Sequence, residues 1–464
     1  MSVVPPDDDR ARPRSSSADD RRPFASRHWR VVDSIKYEEV YLKAYETVGE
    51  ARNSTGRYLD FYNSRRPHSS LDDRRGTPMR FAIAALIHLS VFMLSFALGL
   101  LAHAEYASAA NVSHLNWSKL ASWDGVPADA LPADIKRALE VAGASLNMEV
   151  KPVETLYLAG TLNQDPRHVE SDRAKENFPA IFDLAICARV AQEPLRTQCL
   201  NKAASGLMAW AQIYRPTGHP INEGIFVPLF QAIDLVAPRL PPDKSRVLID
   251  WVRAFVVAGD KFYAPLWPRG AYTASSNTAL SNNWMAWHLV IRAMAAEICD
   301  DATLQASTRT MLSDFAERNF LSVNGRQNGE TTDFVARDAL HYHVYDLLPL
   351  VQIVLYAPAL VDTHAHALVD RGLDFLKPFY TGQEQHIEFV HSTVAFDVQR
   401  KLEDKGTTDY QNKPWDPKGA RILFRLARPA FPDIQPWTAN VVDARYDTWV
   451  KPLAAIYGEP LQEQ

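Results

Sequence analysis

Residues 178–214 read FPAIFDLAICARVAQEPLRTQCLNKAASGLMAWAQIY, and this stretch decides the fold. Apolar residues recur every three or four positions on both sides of a short polar turn at Gln192-Glu193-Pro194. That spacing places the apolar side chains on one face of a helix. Two helices of similar length that are joined by a short loop pack against each other as a hairpin. The stretch therefore predicts a helical hairpin.

The same periodicity recurs along most of the chain after this hairpin. Segments rich in Pro and Gly separate the periodic runs, and strand-like alternation is scarce before about residue 380. The predicted helices cover residues 178–191, 195–214, 225–237, 243–258, 282–299, 304–320, 339–356 and 363–376. A succession of paired helices, each burying one face against its neighbours, predicts an all-α fold and suggests a helical toroid.

Composition and charge exclude several classes of protein. The chain has 464 residues, of which 47% are hydrophobic and 23% charged, as in ordinary soluble globular proteins. A net charge of -5 does not suggest a nucleic-acid binder. The 3 cysteines exclude a disulfide-dense scaffold. Their spacing contains no Cys-x-x-Cys pair, so a zinc ribbon or finger is also unsupported.

The first 78 residues differ in character from the rest. Their opening is rich in Asp, Arg, Ser and Pro, which predicts disorder. Residues 35–41 (IKYEEVY) and 62–71 (YNSRRPHSSL) resemble the C-terminal end of insertion-sequence transposases with an integrase core. The catalytic acids of that family would lie upstream, so we interpret residues 1–78 as a remnant of a gene fusion or a misplaced start site. The alternative is a basic tail that contacts DNA.

A hydrophobic segment follows at residues 79–104 (MRFAIAALIHLSVFMLSFALGLLAHA). A positive start, an apolar run and a small-x-small ending are typical of a secretory signal, and we favour this over a membrane span. The mature protein would then be residues 105–464, located in the periplasm or secreted, with no stable membrane partner. In that oxidising compartment Cys187 and Cys199, which flank the hairpin turn, could form a disulfide or remain two buried thiols.

Two segments concentrate polar and aromatic groups at the start of predicted helices. They are residues 275–288 (SSNTALSNNWMAWH) and 337–350 (RDALHYHVYDLLPL). Around a toroid, such helix starts would face a shared groove. The simpler interpretation of Asn282 is a helix N-cap. For the second segment the simpler interpretation is a buried structural network.

Metal binding is a weaker interpretation of the histidines. His341 with His343, and His364 with His366, are each two residues apart, so neither pair shares a helix face. No carboxylate partner is evident beside them, so no metal or other cofactor is predicted.

Tryptophans and acids offer two further alternatives. Trp267, Trp284 and Trp287 could stack on sugar rings or belong to the core. Glu388 and Asp397 could be the acid/base pair of a glycoside hydrolase, but their spacing does not select that role over surface charge.

Four segments resemble the alginate lyase family. Residues 282–287 (NNWMAW) and 339–345 (ALHYHVY) resemble its two signature segments, and 210–223 and 386–392 are similar to their surroundings. The resemblance covers about residues 150–435. It implies an incomplete α/α toroid that cleaves mannuronate-type polyuronates without a redox cofactor.

One signature position departs from the family. The family usually has Asn-Asn-His, and here the third residue is Trp284. An indole has one N–H donor and cannot take up a proton. Loss of such a donor costs ~10²–10³ in rate unless His341, His343 or His219 replaces it. The departure implies a different uronate preference, such as glucuronan, or an inactive relative.

The resemblance also implies a mechanism, β-elimination at a uronate. Asn283, with a His or Arg, would neutralise the substrate carboxylate, and Tyr342 would take the C5 proton and return a proton to the leaving oxygen. A free tyrosine has a pKa of about 10. Cationic Arg337, His341 or His343 would favour the phenolate. The predicted catalytic residues are therefore Tyr342, Asn283, Arg337 and His343.

The predicted partner is an acidic polysaccharide. The predicted substrate-binding residues are Asn282, Trp284, His341, Trp267 and Arg269. Residues 105–464 carry 34 Lys+Arg against 42 Asp+Glu, so binding a polyanion requires a local basic groove. The candidates for that groove are Arg269, Arg292, Arg337 and Arg400. The main alternative is a non-catalytic polyuronate-binding protein on the same scaffold.

Overall fold

The structure is a computed structural model, and it describes most of the chain after residue 117. The described residues are 118–161, 164–265, 280–320, 328–395, 397, 411–439 and 450–457. The predicted transposase-like remnant, the predicted signal segment, Trp267, Arg269 and Arg400 all lie outside these residues. Among the described residues, no helix is both long and apolar enough to cross a membrane.

The regular secondary structure of the described residues is helical, with one isolated β-bridge between Ile387 and Pro414. In chain order the α-helices are α1 (Ser118–Ser122), α2 (Ala133–Ala144), α3 (Pro166–Lys175), α4 (Phe178–Val190), α5 (Leu195–Ile213), α6 (Pro220–Glu223), α7 (Val227–Val236), α8 (Pro242–Tyr263), α9 (Asn283–Ile298), α10 (Ala302–Asn319), α11 (Thr332–Arg337), α12 (Leu340–Tyr356), α13 (Thr363–Phe375), α14 (Lys377–Tyr380), α15 (Arg421–Ala427) and α16 (Val450–Tyr457).

Four helices form an inner layer, in which α4 packs on α7, α7 on α9 and α9 on α12. All residues of α7 are buried, and in α9 every residue except Trp284 and Glu297 is buried. A helix enclosed on all sides is expected to be mostly apolar around its circumference, and the buried polar exceptions here are Gln231 and Asp234 in α7 and Asn283, His288 and Arg292 in α9.

Four helices form an outer layer around the inner one. Helices α5, α8, α10 and α13 each pack on an inner helix, and α5 also contacts α8 while α10 contacts α13. They bury one stripe only, as α8 does with Leu248, Trp251 and Phe255. Two concentric layers of paired helices confirm the predicted all-α, incomplete α/α toroid.

The helical hairpin predicted for residues 178–214 is formed by α4 and α5. A disulfide joins Cys187 to Cys199 across the turn. Of the two open alternatives for these cysteines, the structure therefore has the bonded one. Cys299 is free and buried.

Candidate active site

The N-terminal ends of α9 and α12 and the short helix α11 form the candidate active site. Asn282 is the N-cap of α9, and its Oδ1 accepts from the Trp284 N–H at 3.1 Å. The capping role expected of Asn282 is confirmed, while its substrate-binding role stays a prediction. Asn283, the first residue of the helix, is 1% exposed and faces α11.

A buried carboxylate joins Asn283 to Arg337. Asp333 Oδ2 accepts from the main-chain N–H of Asn283 at 2.7 Å and from its Nδ2 at 2.6 Å. Asp333 Oδ1 accepts from Arg337 Nε at 3.2 Å. Sequence reasoning missed Asp333, because an acid in the first turn of a helix is commonly placed there by the helix dipole.

Arg337 lies between two carboxylates and over an aromatic ring. Its Nη1 donates to Asp397, and its Cζ lies 3.8 Å from the centroid of the Tyr342 ring. Burial by itself lowers the pKa of this arginine, but its anionic neighbours outweigh burial and raise it. The guanidinium therefore stays charged and in stacking contact with Tyr342.

Tyr342 is partly exposed and surrounded by rings. Ring centroids of His341, Phe389 and Tyr345 lie 5.4, 5.9 and 6.2 Å from its own. For Tyr345, burial and then the negative charges nearby raise the pKa well above the usual value of a phenol. Tyr345 is therefore the poorer candidate for a base.

His343 lies in the core, so its position corrects the expectation that it acts as a cation beside Tyr342. Its Nδ1 accepts from the Thr331 N–H at 3.3 Å, and its Nε2 donates to the Gly372 carbonyl at 2.9 Å. Burial lowers the pKa of His343 to about 4. A neutral, enclosed imidazole with both nitrogens bonded holds α12 against α13 instead. His341, in contrast, is exposed beside Tyr342.

Glu388 and Asp397 are both buried and both bonded within the protein. Glu388 caps α12, because its Oε1 accepts from the Leu340 N–H at 2.8 Å and its Oε2 from the His341 N–H at 3.2 Å. Burial raises the pKa of Glu388 to about 7, although these two bonds oppose the rise. Asp397 accepts from Arg337 and, at 2.7 Å, from the Ser392 hydroxyl. These roles disfavour the hydrolase acid/base interpretation.

Trp284, which stands where the family has histidine, packs on a histidine from another segment. The His219 ring centroid lies 4.9 Å from Trp284 and 5.5 Å from Phe262. Burial lowers the pKa of His219 to about 4. The expected substitute imidazole is therefore adjacent to Trp284, but it is neutral.

Of the four arginines predicted to form a basic groove, Arg292 and Arg337 are among the described residues, and both are paired with carboxylates. Arg292 is 6% exposed, and it donates to Asp260 and, at 2.9 Å, to the Ser307 hydroxyl. It therefore belongs to the packed interior of the helix layers. Arg337 is balanced by its two aspartates, so neither of these arginines lends the groove an excess positive charge.

Among the described residues, no group of three or more His, Cys, Asp or Glu side chains could hold a metal ion. His364 Nε2 instead pairs with Glu317 at 2.7 Å, and the His366 ring stacks on Phe431 with centroids 4.6 Å apart.

Comparisons with known proteins give a family match and two similar solved structures. The family model described as alginate lyase matches residues 154–386. An alginate lyase from Bacteroides ovatus is similar with a TM-score of 0.45 and 14% identity, covering 75% of this chain and 96% of that one. Alginate lyase A1-III from Sphingomonas species A1 is similar with a TM-score of 0.40 and 16% identity, covering 69% of this chain and 88% of that one. No curated protein matches the chain.

Proposed function

The chain belongs to the alginate lyase family and is a polysaccharide lyase, and on that premise we propose that it cleaves a mannuronate- or glucuronate-containing polyuronate by β-elimination. Tyr342 is the base and the acid of this reaction, and Asn283 and Arg337 bind the uronate carboxylate. His341 and Trp284 contact the neighbouring sugar. The polymer is the only partner required, and export places the enzyme in the periplasm or outside the cell.

The observation that carries the proposal is the arrangement of Asn283, Arg337 and Tyr342. These residues come from three helices, and the Asp333 carboxylate and the stacked guanidinium connect them within a few ångströms. Tyr342 is the partly exposed member, so its phenol is the group that a polymer can reach. An amide donor, a cation and an accessible phenol are the groups that the reaction needs.

The chemistry follows from these positions. The Tyr342 phenolate takes the C5 proton, the C5–H electron pair forms the C4=C5 double bond, and the bond from C4 to the glycosidic oxygen breaks. The new phenol then protonates the leaving oxygen. Charge develops on the carboxylate during proton removal, so Asn283 Nδ2 and Arg337 stabilise the transition state more than the bound substrate.

The preference for one uronate depends on the region around Trp284. The indole and the neutral His219 present an apolar, weakly donating surface at the position where the signature of the family usually has a histidine. Such a surface favours stacking on a sugar face over hydrogen bonding to a second carboxylate. We therefore expect glucuronan or polymannuronate to be cleaved faster than guluronate-rich alginate.

The test is product formation by the full chain and by Tyr342→Phe. Alginate, polymannuronate and glucuronan are incubated with each protein, and the ultraviolet absorbance of the unsaturated product is followed. Loss of the Tyr342 hydroxyl, which is the proposed base, should lower turnover by ~10²–10⁴-fold. Tyr157→Phe is the matched control, because Arg167 also lies over that ring, at 5.2 Å from its centroid, outside the site. Near-normal turnover by Tyr342→Phe, or binding without product by the wild type, contradicts the proposal.

A further inference from the structure

We propose that Asp333 is the positioning residue of this site, orienting Asn283 and Arg337 toward the substrate. This inference rests on the proposed function for the roles of Asn283 and Arg337. As a carboxylate, Asp333 has no donor for the acidic polymer, and both of its oxygens already accept from Asn283 and Arg337, so it does not itself contact the substrate. It acts through the two side chains that do.

The first effect of Asp333 is to fix the orientation of the Asn283 amide. An amide can present either its oxygen or its NH₂ group in one direction, and the two have nearly the same shape. Because Asp333 Oδ2 only accepts, the 2.6 Å bond to Nδ2 excludes the flipped amide, in which two oxygens would meet. The main-chain N–H of Asn283 bonds to the same oxygen at 2.7 Å, which also fixes the start of α9.

The second effect is to fix the plane of the Arg337 guanidinium. Asp333 accepts from Nε at 3.2 Å and Asp397 from Nη1, and two bonds along one planar group determine its orientation. That plane covers the Tyr342 ring. The bonds to the two aspartates use Nε and Nη1, so Nη2 is the edge that the proposal assigns to the substrate carboxylate.

A second buried acid, Asp346, lies near Asp333 in the same part of the site. Asp346 follows Tyr342 by one turn of α12 and is fully buried. Burial, and next the charge of Asp333, raise the pKa of Asp346 well above its usual value. Three donor groups, from Asn283 and Arg337, converge on Asp333, so its two oxygens act as acceptors in this arrangement.

The test is a double-mutant cycle that combines Asp333→Asn with Asn283→Ala. An amide at 333 retains one acceptor oxygen for three donors, so at least one donor loses its partner. We expect Asp333→Asn to lower kcat by ~10²-fold with a much smaller change in KM, as for loss of a transition-state donor. In the Asn283→Ala background the same change should lower kcat clearly less, because coupled residues are not additive.

The matched control is Asp397→Asn, which removes the other carboxylate on Arg337 without touching Asn283. Its effect should be the same in both backgrounds. Equal effects of Asp333→Asn in the two backgrounds, or a wild-type kcat in the single variant, overturn the inference. If Asp333→Asn does not fold, Asp333→Glu keeps the charge and displaces it by one methylene. Reduced kcat in that folded variant supports the inference, and unchanged kcat overturns it.

Failure of the proposed function gives a different result. If the wild type releases no unsaturated product from any polyuronate, the same cycle is measured by calorimetric binding of a polymannuronate oligosaccharide. Asp333→Asn should then weaken binding as much as Asn283→Ala does. The double variant should bind no more weakly than either single variant. Undiminished binding by Asp333→Asn overturns the positioning role independently of catalysis.

Discussion

Replacing Arg337 with methionine should destabilise the protein, because it leaves two buried carboxylates without their common cation. The Asp333 and Asp397 side chains are each 3% exposed, and that of Arg337 is 11% exposed. Removing one partner from a buried ion pair costs ~3–5 kcal/mol in unfolding free energy. Asn283 and Ser392 continue to donate to the two aspartates, so we expect the lower end of that range.

The assay is thermal unfolding at pH 7. For a helical domain of roughly 300 residues, a loss of ~3 kcal/mol lowers Tm by ~5 °C. The triple variant Arg337→Met, Asp333→Asn, Asp397→Asn should recover most of this loss, since it contains neither unpaired charge. Arg309→Met is the control, because Arg309 is exposed and its guanidinium donates to the Ala359 carbonyl rather than to a carboxylate. The reasoning is refuted if Arg337→Met has the same Tm as Arg309→Met. It is also refuted if the triple variant has a lower Tm than each of these two single variants.

Two further predictions concern stability away from the site. Burial raises the pKa of Asp183 from 3.8 to about 8, so the folded state keeps a proton that the unfolded state releases between these values. The free energy of unfolding of the wild type should therefore fall as pH rises through this window, by up to ~1.4 kcal/mol per pH unit. The Tm of Asp183→Asn should depend less on pH. Parallel Tm profiles of the two proteins between pH 5 and 8 would contradict this prediction. Gly224→Ala should lower the free energy of unfolding by ~1–3 kcal/mol, because the new Cβ would lie 2.5 Å from Trp287 Cε3. Gly143→Ala is the control and should be neutral or slightly stabilising, because nothing lies within 4 Å of its new Cβ. Equal Tm values for the two variants would contradict the prediction, because the clash with Trp287 would then cost no stability.

The helices were predictable because their signal is local. The predicted helix at residues 178–191 is observed as Phe178–Val190, and the one at 363–376 as Thr363–Phe375. Turn residues and apolar spacing suffice to place such elements within a few positions. Helix α11 was missed, because six residues contain less than two turns and show no period.

The site was predictable only in part. Its signature segments indicated Asn283 and Tyr342, but the bond from Asn283 to Asp333 joins residues 50 positions apart and leaves no local pattern. His341 and His343 could not be told apart by composition. On a helix their side chains point about 160° apart, so one faces the groove and the other the core.

The buried carboxylates that support the site have a consequence for how relatives are recognised. Glu388 and Asp397 follow the last residue of the family match, which ends at residue 386. A shortened protein ending there would keep Tyr342 and Arg337 but lose the cap of α12 and one counter-ion of the arginine. A match over residues 154–386 therefore says nothing about these two supports, which lie within the eleven residues that follow it.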